Sequence, residues 1–118
     1  MHRAALEELP PLLEALEVES SVLFGHSDGA SIALIYAGSY PANALGLIVE
    51  APHVFTEQLS VDSIAAIQKV YESSDDLRHR LGRHHADPDA SFYGWNAAWQ
   101  LPEFIDWNIE EYLPQITF

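Results

Sequence analysis

Gly25-His26-Ser27-Asp28-Gly29 sets a serine between two glycines at the spacing of a nucleophile elbow. A serine hydroxyl is a weak nucleophile at its free pKa. It needs a base beside it and donors for the oxyanion that forms. A sharp strand-to-helix turn lifts the hydroxyl clear of the sheet and aims the next backbone N–H, that of Asp28, at the developing charge. The positive end of the helix dipole acts in the same sense. Such a turn crowds its own backbone, so small residues are expected two before and two after the serine, where Gly25 and Gly29 stand.

The surrounding pattern supplies the elements that such a turn needs. Ser20 to Phe24 ends in the apolar run Val22-Leu23-Phe24 and reads as a buried parallel strand. Asp28 to Tyr40 predicts a helix with almost no polar face, ended with the help of Gly38 and Pro41. Ala44 to Val49 predicts a second strand, closed by Glu50 and Pro52. Strand, helix and strand in this order form a βαβ unit. Before it, residues 3–17 predict a helix interrupted at Pro10-Pro11 and restarting there. After it, Val61 to Tyr71 and Ser73 to Leu81 predict helices, His84 to Asp89 a loop, and Pro102 to Leu113 one further helix.

The runs Leu13 to Leu16, Ser21 to Leu34 and Ala44 to Pro52 resemble the α/β-hydrolase superfamily, in its serine-nucleophile branch. The dehalogenase and epoxide-hydrolase branches use aspartate where this chain has Ser27. The resemblance implies a partial α/β-hydrolase fold: residues 1–55 a core carrying the elbow, residues 56–118 a helical cap-like segment. It implies a serine hydrolase acting on an ester-like or related carbonyl through an acyl-enzyme, with Ser27 as nucleophile and the Asp28 amide as one oxyanion donor. In that family the acid and the histidine follow the serine in the chain, on strands beyond those seen here. The expectation is therefore of an internal stretch of the fold, weakly active or inactive as this chain. The alternative is a non-catalytic interaction module that self-associates or is complemented by another chain.

Other residues compete for a role. Glu50, at the end of the second strand, is a possible substitute acid; a solvated strand-end carboxylate is the plainer reading. His26 and His53 are candidates to line a substrate site, as are Phe92, Trp95 and Trp99, which could equally pack helices together. His79, His84 and His85 read as solvated. The stretch His84 to Asp89 lacks the helical spacing of an H-E-x-x-H site, so no metal and no cofactor are expected.

Composition narrows the class. Eighteen acidic residues against 5 basic give a net charge of −13 over 118 residues, which disfavours nucleic acid and anionic membrane surfaces. There is no cysteine, so disulfides and thiolate metal sites are excluded. No signal-peptide pattern or spanning segment is evident, and a cytoplasmic location is expected. A small-molecule substrate is the expected partner. A two-stranded parallel sheet with unpaired edges also predicts a homo-oligomer, unless the helices fold back over those edges.

Overall fold

The computed structural model describes residues 1–118. The chain is mixed α/β and divides into two compact units, Met1–Phe55 with Asn108–Phe118, and Thr56–Trp107. Residues 108–118 thus belong with the first unit, where the sequence placed them with the second. No helix is long and apolar enough to cross a membrane.

The first unit opens with a wide π-type turn, Ala4–Glu8, that runs into α1, Leu9–Ala15. Pro10 and Pro11 lie in the first turn of α1, where a missing N–H leaves no bond unmade. Glu17 then adopts φ 57°, and the Glu17 and Val18 amides donate to the Glu14 and Leu13 carbonyls, closing the helix. β1 is Ser21–His26, α2 is Asp28–Ser39 and β2 is Ala44–Glu50. The strands are parallel and in register from Val22 opposite Gly46 to His26 opposite Glu50. The predicted strands and helix thus form where the apolar runs placed them.

α2 is the centre of this unit. Ala30, Ser31, Ala33, Leu34, Ile35, Tyr36, Ala37 and Gly38 are all buried, as its lack of a polar face requires. It packs on both strands, on the Ala4–Glu8 turn and on a 3₁₀ turn, Glu110–Gln115. A Cβ on Gly38 would stand 2.8 Å from Tyr112 Cβ and 3.0 Å from its carbonyl carbon, so this glycine sets how closely the returning tail approaches. The tail is fixed further by a bridge between Phe55 and Asn108 and by the Ile109 amide donating to the Val54 carbonyl at 2.7 Å.

α2 covers only one face of the sheet. Val22, Phe24 and His26 share the other face with Gly46, Ile48 and Glu50. There Phe24 is 70% exposed, and Val22 and Ile48 are each 58% exposed. No helix of this unit closes over that face, and neither outer edge is paired to a strand.

The second unit is helical: α3 Gln58–Ser73, α4 Asp75–Leu81 and α5 Pro88–Trp99. The Asp87 side chain accepts from the Ala90 amide and Pro88 takes the first helical position, so α5 begins inside the stretch read from sequence as a loop. The single helix predicted over Pro102 to Leu113 does not form. A 3₁₀ turn, Pro102–Asp106, ends at Trp107, whose φ −67° and ψ 128° are extended. Asn108 accepts from the Glu110 amide and donates to its carboxylate, starting the second turn separately. The bridge to Phe55 holds this stretch extended, a constraint helical periodicity does not contain.

Aromatic packing joins α3 to α5. Tyr71 stacks on Phe92 with centroids 3.8 Å apart and planes 3° from parallel. The Tyr71 hydroxyl donates to Asp89 at 2.6 Å, and Arg78 Nε reaches the same carboxylate oxygen at 2.8 Å. One aspartate thereby ties α3, α4 and α5 together. These hydrogen bonds, Tyr71 first and Arg78 second, hold the Asp89 carboxyl below its ordinary value. Buried Asn96 adds a bond from α5 to the Ile64 carbonyl of α3 at 2.8 Å.

Candidate functional site

Ser27 lies between the last residue of β1 and the first of α2. Its backbone has φ 54° and ψ −123°, a conformation that L residues rarely hold. Three backbone contacts keep it there. The Ser27 amide donates to the Glu50 carbonyl at 2.9 Å, which ties the turn to the end of β2. The Ser27 carbonyl accepts from the Ala30 and Ser31 amides, which starts α2. Gly25 lets β1 and α2 meet: a Cβ there would lie 2.6 Å from the Gly29 carbonyl carbon and 2.7 Å from Ala30 Cα.

The expected crowding is therefore real but one-sided. A Cβ on Gly29 would meet nothing within 4 Å. The closest approach is that of the Gly25 α-carbon to the backbone of α2, and Gly29 needs only to present that backbone. Nothing in the geometry requires glycine at position 29.

The hydroxyl of Ser27 does not cap α2, although it stands at the capping position. The side chain makes no hydrogen bond within the chain and is half-exposed. Asp28 is the first residue of the helix, and amides of a first turn have no acceptor within their own helix. The backbone geometry needed to present a hydroxyl beside a helix N-terminus is thus in place.

The other named residues divide. His26 and Glu50 stand opposite each other at the ends of the two strands, both exposed and flanking Ser27 in the backbone network. His53 is held through its backbone: the Ser31 hydroxyl donates to the His53 carbonyl at 2.6 Å and accepts from its amide at 3.1 Å. Buried Ser31, one turn into α2, thereby fixes the segment after β2, where Ala51 takes φ 48°. The sequence signal for Ser31 is a single serine inside the otherwise apolar stretch Ala30 to Ala37.

Phe92, Trp95 and Trp99 belong to the second unit. Phe92 is buried in the stack on Tyr71, and Trp99 is buried with its ring 4.8 Å from that of Phe104. Trp95 is 38% exposed and meets Phe92 edge-on at 5.9 Å. Two of the three are therefore committed to packing. His79, His84 and His85 are exposed, and no three carboxylates or imidazoles converge closely enough to hold a metal ion.

Fold and site together define a mixed α/β chain built round a strained serine between a parallel strand and a buried helix. No protein-family model matches the chain, and no curated protein matches it.

Proposed function

We propose that Ser27 is a hydrolase-type nucleophile in an elbow resembling that of the α/β-hydrolases, acting on an ester-like carbonyl. The observation that carries this reading is the Ser27 backbone at φ 54° and ψ −123°, held by Gly25 against α2 and by the Glu50 carbonyl. Strain of this kind costs about 1–3 kcal/mol and persists only where the surroundings enforce it. An ordinary turn would not need it.

In the proposed reaction Ser27 Oγ adds to the substrate carbonyl carbon and its proton passes to a base. The Asp28 amide supports the oxyanion. Collapse expels the alcohol, which takes up the proton, and leaves an acyl-serine that water hydrolyses. No imidazole of this chain is hydrogen-bonded to Ser27, so the proton acceptor in the isolated chain is water or buffer. Turnover should be several orders of magnitude below that of a complete triad.

The test is labelling by a fluorophosphonate with mass mapping, beside turnover of a short-chain nitrophenyl ester. Slow, stoichiometric modification of Ser27, absent in Ser27→Ala, is expected. Equal labelling of the alanine variant would remove the reading.

A second reading, an interaction module, is favoured by the bare sheet face of Val22, Phe24 and Ile48. Apolar surface of this kind in a parallel sheet is ordinarily covered. Light scattering on the purified chain should then give a dimer or larger species. Phe24→Lys with Ile48→Lys should return it to monomer, and a monomeric parent chain would refute the reading.

A further inference from the structure

Two of the three residues with positive φ, Ser27 and Ala51, lie on one circuit of hydrogen bonds; the third, Glu17, only closes α1. The circuit starts where the Ser27 amide donates to the Glu50 carbonyl at 2.9 Å. Ala51 follows with φ 48°, in the left-handed region that alanine occupies only at a cost. Pro52 has no amide to donate, so the first amide beyond the bend is that of His53. The Ser31 hydroxyl accepts from that amide at 3.1 Å and donates to the carbonyl of the same residue at 2.6 Å. The Ser31 amide donates to the Ser27 carbonyl at 3.2 Å, which closes the circuit.

The behaviour of Ser31 is not that of an ordinary helical serine. Such a serine bonds back to the carbonyl four residues before it, here that of Ser27. Ser31 is fully buried, and its hydroxyl instead commits a donor and an acceptor to one residue 22 positions away. A hydroxyl so placed cannot attack a substrate. It reaches Ser27 through the bend at Ala51 and the Glu50 carbonyl.

The Ser27 turn is constrained from two sides. On the β1 side Gly25 lies against the backbone of α2, a contact in which the Ser31 hydroxyl has no part. On the β2 side the Glu50 carbonyl holds the Ser27 amide, and its direction depends on the bend. The next anchor, the Ile109 amide on the Val54 carbonyl, fixes the chain after His53 and not the bend itself. Without the Ser31 hydroxyl, the His53 amide and carbonyl lose their partner, Ala51 is free to relax toward negative φ, and the Glu50 carbonyl turns away from Ser27.

We propose that Ser31 is a positioning residue for Ser27. It holds the Ala51 bend, and through the Glu50 carbonyl it keeps the Ser27 backbone in the conformation that presents the hydroxyl beside the Asp28 amide. This inference rests on the reading of Ser27 as a nucleophile. Orientation of a nucleophile governs its rate steeply, so a residue that never touches substrate can still set reactivity.

The test compares rates of fluorophosphonate labelling at Ser27, in conditions where urea denaturation shows each chain to be fully folded. Ser31→Ala should label at least about tenfold more slowly than the parent chain. Adding Ala51→Gly to that variant should restore the rate to within about threefold of the parent, because glycine adopts φ 48° without strain. Packing lost at position 31 would not be repaired by a change at position 51, so the recovery separates positioning from a merely structural role. Equal labelling of the parent and Ser31→Ala overturns this proposal alone, as does a double variant no faster than Ser31→Ala. A parent chain that does not label overturns the nucleophile reading, and this one with it. A second measurement requires no variant to fold. In hydrogen exchange of the parent chain, the Ser27 and His53 amides should open together, with protection factors within about threefold of each other. A His53 amide that exchanges freely while that of Ser27 stays protected would show that the turn is held without Ser31.

Discussion

The two units hold themselves together by different means. In the first, backbone meets backbone. Gly25 presses on α2, Gly38 presses on Tyr112, and the Glu50 carbonyl holds the Ser27 amide. In the second, side chains do the work: Tyr71 stacks on Phe92, and Asp89 collects Tyr71 and Arg78. Backbone contact leaves no rotamer to adjust, so it can impose an unfavourable φ on one serine. Side-chain clusters tolerate adjustment and suit a scaffold with no strained position. Every residue with positive φ, Glu17, Ser27 and Ala51, lies in the first unit.

That contrast can be broken by mutation. Gly25→Val has the largest expected effect. It would drive a side chain into the Gly29 carbonyl and should cost about 4 kcal/mol or prevent folding of the first unit, read by urea denaturation. Gly38→Ala should cost about 2 kcal/mol, because the atoms it meets include the Tyr112 backbone. Ser27→Gly should stabilise by about 1 kcal/mol, since glycine relieves the φ of 54° while Ser27→Ala keeps the strain. If Ser27→Gly is destabilising, the turn is not a reservoir of strain. Gly29→Ala should be the mildest, stabilising by about 0.5 kcal/mol because its Cβ meets open space.

The second unit is sharpened by pH. The folded-state pKa of Asp89 is depressed, so its contribution is fully present above the ordinary aspartate value of 3.8. It is lost as pH falls below that value through the folded one. Stability of the second unit should therefore drop in acid below about pH 4, followed by tryptophan fluorescence, because all three tryptophans lie between Trp95 and Trp107. Asp89→Asn should flatten that dependence. An unchanged acid profile in the variant would show that the carboxylate does not clamp α3, α4 and α5.

Much of the first unit was legible because its signals are local. Val22-Leu23-Phe24, the all-apolar face of α2 and the Ala44–Val49 run each name their element without reference to the rest. The stretch 102–113 reads as helix because its helical propensity is local, whereas the bridge between Phe55 and Asn108 that overrides it joins residues more than fifty positions apart. The start of α5 is hidden in the sequence because Asp87-Pro88 reads as a turn, and only the Asp87 side chain accepting from the Ala90 amide makes it a helix cap.

The amino-acid sequence by itself determined the strand–turn–helix–strand order and the position of Ser27 within it, because apolar periodicity and glycine spacing are properties of short segments. Tertiary structure alone decided that Ser27 is strained, that Gly25 and not Gly29 creates the close contact, and that one face of the sheet is bare. It also decided that the returning tail meets α2 at Gly38, against Tyr112. Each of these depends on distances between segments far apart in the chain. A pattern of residue types specifies which groups prefer to be buried, but not which of them will meet.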